Sequence, residues 1–125
     1  MWSTNKAKHV LVADDEEHTR LTLSLVLRKA GFKVTAAGHG SEALNLILEL
    51  ANGPTPVDLL LVDLQMPGLT GLELVGELER QKIPLPVFLM CGYLDNEIVA
   101  DAMRRGCVGY LEKPFEPEEL LSRIN

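Results

Sequence analysis

Cysteine is scarce in this chain: Cys91 and Cys107 are the only two in 125 residues. Two thiols are too few for a disulfide framework, so reduced thiols in a cytoplasmic setting are the simpler expectation. Aromatic residues are sparse at 5%. No apolar run approaches the roughly 18 residues that a membrane span needs. Met1–Lys8 is polar and has no apolar stretch of the kind that marks a signal peptide. Basic residues are outnumbered, 12 Lys and Arg against 18 Asp and Glu, for a net charge of −6. That balance argues against nucleic-acid binding by this domain, which calls for a basic face. His9, His18 and His39 lack the spacing of metal ligands and read as surface residues or the start of a strand. What remains is ordinary for one globular domain: a moderate length and 46% hydrophobic residues, enough for a real core.

Short apolar runs alternate with longer amphipathic segments, without repeats or a linker. Strands are expected at His9–Ala13, Lys33–Ala37, Asp58–Val62, Val87–Met90 and Val108–Leu111. Helices are expected at Glu16–Ala30, Glu42–Leu50 with Ser41 as N-cap, Gly71–Gln81, Asn96–Arg105 and Glu118–Ile124. The strands have lost the polar–apolar alternation of a one-sided sheet, the mark of strands covered on both faces. Five such strand–helix pairs predict a doubly wound α/β sheet. Leu21-Thr-Leu-Ser-Leu alternates like a strand, yet a strand there would leave no crossover between parallel neighbours. A helix with Leu23, Val26, Leu27 and Ala30 as its buried stripe is therefore expected. Residues 1–8 read as an extended or disordered lead, and 9–125 as the domain. The last helix is short, with Leu120, Leu121 and Ile124 as its stripe. It fits either a piece of a longer protein or a single domain with a brief final helix.

Charge falls where these strands end. Asp14 and Asp15 follow His9–Ala13, Asp63 follows Leu59–Val62, and Lys113 follows Tyr110-Leu-Glu. In an open parallel sheet those ends converge on one edge, where ligands bind. An acidic pair alone is as readily a helix start. A third carboxylate behind four apolar residues is costly without partners. At about 4 Å two carboxylates repel by about 1 kcal/mol in water and about 4 kcal/mol at an effective dielectric near 20. Such a cluster calls for a cation, and an all-oxygen ligand set suits Mg²⁺. Lys113 would pair with Asp63 or with phosphate oxygens.

The acidic pair Asp14-Asp15, the run Asp63-Leu-Gln-Met-Pro-Gly-Leu-Thr-Gly71 and Lys113-Pro114-Phe115 together resemble the receiver domain of two-component response regulators. The resemblance runs from about His9 to Ile124. It implies a flavodoxin-like sheet of strand order 2-1-3-4-5 flanked by five helices. It implies that Asp63 accepts a phosphoryl group from a partner histidine kinase or phosphotransfer protein, so that the only reactions catalysed are the domain's own phosphorylation and dephosphorylation. Asp15 and Asp63 would then ligate Mg²⁺ directly, Asp14 through water, and the backbone carbonyl of Gln65 would be a further ligand. Lys113 would hold the phosphoryl oxygens, the Lys113–Pro114 peptide is a candidate for cis, and Gly92 would keep the approach open. Tyr110 stands where the family has its switch aromatic. Gln65 and Tyr93 stand at positions that tune hydrolysis, a bulky Tyr93 being expected to shield the phosphoryl group. Cys91 departs from the family, which has Thr or Ser there; a thiol is a weak donor. Activation of this thiol by Lys113 is one reading and an inert filler the preferred one, as it is for Cys107. Output through a domain or partner outside this chain, or through phosphorylation-dependent homodimerisation, is left open.

Three rivals compete. A flavin carrier of the same architecture needs a phosphate loop after the first strand, where this chain has Asp14-Asp15-Glu16-Glu17. An aspartyl phosphatase needs an acid two positions after its nucleophile, where Gln65 stands. The third, a degenerate receiver that docks partners without phosphorylation, draws its support from Cys91.

Overall fold

The computed structural model describes residues 8–92 and 96–124. The expected lead, apart from Lys8, and Tyr93 thus lie outside the described residues. Ten elements follow in strict alternation: β1 (His9–Ala13), α1 (Glu17–Lys29), β2 (Lys33–Ala37), α2 (Gly40–Leu50), β3 (Leu59–Asp63), α3 (Gly71–Arg80), β4 (Val87–Cys91), α4 (Asn96–Arg104), β5 (Gly109–Glu112) and α5 (Pro117–Ile124). The strands form one parallel sheet of order β2-β1-β3-β4-β5. The chain therefore reverses direction across the sheet at β1 and β3, and the crevice of such a sheet opens there.

β1, β3 and β4 are buried at every position, which explains their unbroken apolar sequences. Their side chains still alternate between two cores. Leu11, Ala13, Leu60, Val62, Leu89 and Cys91 point into the layer of α2, α3 and α4. Val10, Val12, Leu59, Leu61, Met90 and Leu111 point into the layer of α1 and α5. Each fully buried leucine or valine contributes roughly 1.5–3 kcal/mol.

Several local expectations shift. α1 is a helix, and Leu21 and Leu25 of its alternating stretch are 59% and 64% exposed. Its buried stripe is Leu23, Ser24 and Leu27. Val26 is only half-buried, and Ala30 is exposed because it lies past the last turn as the C-cap. Ser24 is accommodated because its hydroxyl donates to the Arg20 carbonyl one turn back, 2.8 Å away. Ser41 is not the cap of α2: the helix starts at Gly40, and the His39 side chain accepts from Glu42 N. An imidazole nitrogen performs the task expected of the serine hydroxyl. α5 begins at Pro117, a residue suited to a first helical turn.

α3 is the helix that shapes the crevice. Thr70 and Glu73 close it with a reciprocal capping box. Gly71 brings its start against the end of β3: its N–H donates to the Leu64 carbonyl at 3.0 Å. A Cβ at Gly71 would stand 2.5 Å from the Asp63 carbonyl oxygen and 2.9 Å from Leu64 Cα, both backbone atoms. Gly71→Ala is therefore expected to destabilise the fold by about 1–3 kcal/mol. Thermal melting that shows Gly71→Ala within 1 °C of wild type would contradict this close contact.

Candidate functional site: an acidic strand-end cluster

Asp14 follows β1, Asp63 ends β3 and Lys113 follows β5. Counting on by two from Val12, Leu61 and Leu111 carries all three to the α1/α5 side of the sheet. There they meet. Lys113 Nζ donates to Asp14 Oδ2 at 2.7 Å and to Asp63 Oδ2 at 3.0 Å. β5 is an edge strand, separated from β3 by β4, so the lysine reaches over one strand end to bind both. The Lys113–Pro114 peptide is cis.

The carboxylates are unequal. Asp14 is fully buried and held at four points. Its N–H donates to the Ala37 carbonyl, Oδ1 accepts from Glu16 N at 2.9 Å, Oδ2 accepts from Lys113, and its carbonyl accepts from Arg20 NH1 at 2.8 Å. Asp63 is 8% exposed, and its Oδ1 accepts from Gln65 N at 3.2 Å. Asp15 is exposed, and among the described residues no side chain or backbone group bonds its carboxylate. One oxygen from each of Asp14, Asp15 and Asp63 lies within 4.8 Å of the others. Three carboxylates with one ammonium make a hard-oxygen donor set, which fits a divalent cation such as Mg²⁺ or Ca²⁺ and not zinc. Beside the cluster a cleft opens, lined by Asp15, Gln65, Met66 and Ile98 among others.

Burial raises the Asp63 carboxyl above its ordinary range, and the charge of Asp14 adds to this. The hydrogen bond and charge of Lys113, with the Gln65 N–H, work the other way and do not cancel it. Burial also works against the Lys113 ammonium, but its bonds to Asp14 and Asp63 outweigh that and leave its pKa raised. The pair thus favours the charged lysine, while the site favours the protonated form of Asp63.

Cys91 and Tyr110 fall on the other side of the sheet. Cys91 is 3% exposed in the α2–α4 core, its Sγ 3.9 Å from the Leu111 carbonyl. Half-buried Tyr110 packs against the same core. Burial first, then the charges of Glu112 and Asp63, push the Cys91 thiol up, and Lys113 opposes them only in part. This environment works against a lysine-activated thiol and agrees with the preferred reading of an inert filler. Burial alone lifts Cys107 to about 11. The structure thus joins Asp14, Asp15, Asp63 and Lys113 in one site, sets the Gln65 backbone against it, and keeps Cys91 and Tyr110 in a separate layer. Arg20 escaped the sequence reading. Its contact is with a backbone carbonyl, which no residue pattern marks.

Residues 10–125 match the family model of the response regulator receiver domain. The chain is similar to the transcriptional regulatory protein FixJ of Bradyrhizobium diazoefficiens, 35% identical over 116 residues that cover 93% of this chain and 54% of FixJ. It is similar to the response regulator SaeR of Staphylococcus aureus, 31% identical over 117 residues that cover 94% of this chain and 49% of SaeR. The chain spans about half the length of these curated relatives. Among solved structures, the chemotaxis protein CheY4 of Vibrio cholerae superimposes with a TM-score of 0.83 at 30% identity, covering 95% of this chain and 97% of that one. A response regulator from Burkholderia pseudomallei, with a phosphorylated aspartic acid, calcium ion and citrate, superimposes with a TM-score of 0.81 at 29% identity, covering 94% and 66%. No helix among the described residues is long and apolar enough to cross a membrane. A match that runs from Val10 to Asn125, on this sheet order and this strand-end cluster, shows that the chain belongs to the receiver domains of two-component response regulators.

Proposed function

We propose that Asp63 accepts a phosphoryl group from a phosphohistidine of a partner kinase or phosphotransfer protein, in a reaction that requires Mg²⁺. The observation that carries this reading is the Asp63 carboxylate at the mouth of the crevice, 3.0 Å from an ammonium that it shares with Asp14. An Asp63 oxygen attacks phosphorus, the P–N bond breaks, and the imidazole nitrogen keeps the electron pair and takes up a proton. Mg²⁺ bound among the carboxylates would neutralise the charge that builds on the phosphoryl oxygens. Lys113 moves its hydrogen bond from Asp63 to those oxygens while Asp14 continues to hold it. Asp15, which is exposed and unbonded among the described residues, and Asp63 at the strand end are suited to direct ligation, and fully buried Asp14 to ligation through water. The carbonyl of Gln65 would complete the set. The phosphorylated aspartic acid and calcium ion of the Burkholderia pseudomallei relative support the same chemistry here.

Switching is the weaker half of the reaction. At the position of Cys91 a hydroxyl would bond the phosphoryl group and draw in its loop. Losing a bond of that kind forfeits about 1.5–3 kcal/mol, against the about 5.5 kcal/mol needed to drive a switch from 1:99 to 99:1. Phosphorylation is therefore expected to couple weakly to Tyr110 and to the surface of α4, β5 and α5, whether that surface engages an output domain, a separate partner or a second copy. Cys91 is also the observation that favours the second reading, docking without phosphorylation.

Incubation with acetyl phosphate and Mg²⁺ is expected to add the mass of one phosphoryl group, and none in Asp63→Asn; an unmodified wild type would leave the docking reading. Cys91→Thr is expected to enlarge the phosphorylation-induced change in amide chemical shifts of β5 and α5, and equal changes would remove the coupling argument. The raised carboxyl of Asp63 means that the fold favours its protonated form. Metal-free stability therefore falls as pH rises from the ordinary carboxylate range through the raised value. Asp63→Asn removes this cost and is expected to raise the metal-free melting temperature at neutral pH. Mg²⁺ is expected to raise the wild-type melting temperature and leave Asp63→Asn nearly unchanged. A metal-free Asp63→Asn that melts below wild type would contradict this electrostatic account.

A further inference from the structure

Resting on that reading of the site, we infer that Arg20 is a positioning residue for the metal ligands: it holds the peptide plane between Asp14 and Asp15 and so sets where the Asp15 carboxylate stands. Asp15 is the one carboxylate of the cluster without a bond among the described residues. Its place opposite Asp63 is therefore decided by its backbone. The carbonyl of Asp14 belongs to the peptide that carries the Asp15 nitrogen, and Arg20 NH1 donates to that carbonyl at 2.8 Å. On the other side of the same residue, Asp14 N donates to the Ala37 carbonyl at 3.1 Å. These two bonds, one from α1 and one from β2, leave little freedom to the chain as it leaves β1.

Arg20 is itself held. It is half-buried, and its guanidinium lies over Gly38, where an added Cβ would be 3.4 Å from NH1 and 3.8 Å from Glu42 Oε1. Glu42 Oε1 accepts from Gly38 N at 2.7 Å, and Glu42 N donates to His39 at the start of α2. The Ser24 hydroxyl donates to the Arg20 carbonyl. The arginine thus bonds the loop after β1 and packs against the loop after β2, one strand further from Lys113. Groups that orient ligands from behind change metal affinity by about 10–100-fold when removed.

Charge and position make opposite forecasts. If Arg20 were only a cation near three carboxylates, its removal would deepen the negative potential and tighten divalent binding. As a positioning residue, its removal loosens Asp15 and weakens binding. Isothermal titration of the metal-free protein with Mg²⁺, with no phosphodonor present, separates the two. Arg20→Ala is expected to lose about tenfold in affinity. Arg20→Lys, which keeps the charge and one donor, is expected to recover most of that loss. Melting of the metal-free variants gives their folded fraction, and backbone amide shifts of Asp15 report the loosening directly even if Arg20→Ala folds poorly, because Arg20→Gln can be read in the same way. Affinity that is unchanged or tighter in folded Arg20→Ala would overturn the inference and leave the phosphoacceptor reading intact. A wild type that binds no Mg²⁺, or binds it equally well as Asp15→Asn, would overturn both.

Discussion

One ammonium holds the functional edge together. Lys113 sits between Asp14 and Asp63, and no other described side chain bonds both. Two carboxylates at the ends of adjacent strands repel each other, and burial adds a desolvation cost for each. The sheet can place them there because a positive charge arrives from the far edge strand. Each partner then depends on the rest. The lysine is kept charged by the pair it bridges, and Asp63 remains the least comfortable member, with its carboxyl raised. A carboxylate kept under such tension suits a cation nearby, whose charge would relieve it.

The two-residue period of the strands divides the labour. Asp14, Asp63 and Lys113 continue the α1/α5 side of the sheet, whereas Cys91 and Tyr110 belong to the core under α2, α3 and α4. The acidic cluster and the Cys91–Tyr110 pair therefore belong to different layers. The two layers meet at the ends of β4 and β5, where Lys113 N donates to the Cys91 carbonyl at 2.6 Å. The Cys91 thiol there is pushed up in pKa and lies 3.9 Å from the Leu111 carbonyl.

Small features behind the site set its precision. Gly71 lets α3 start against the Asp63 carbonyl, and Arg20 closes the other flank on the Asp14 carbonyl. Neither touches a reacting atom. Both act on backbone, because an exposed carboxylate such as Asp15 has nothing else to place it.

The ten elements could be read from sequence because buried parallel strands and amphipathic helices leave distinct patterns, and because Gly31, Gly106 and the prolines punctuate them. The acidic residues and Lys113 could be read because ionised groups behind apolar runs are costly enough to signal purpose. Local reading failed where a contact was non-local or the cap unusual: His39 displaced Ser41 at α2, Ser24 entered the core and Val26 did not. The role of Arg20 rests on a bond to a backbone carbonyl, so no residue pattern announces it. The sequence by itself determined which groups are charged, where strands stop and which side chains must be buried. Only the tertiary structure decided that Lys113 reaches both aspartates, and that Asp14 is sealed while Asp15 is open. It also decided that Cys91 is buried against the Leu111 carbonyl, since distance and burial exist only once separate strands lie side by side.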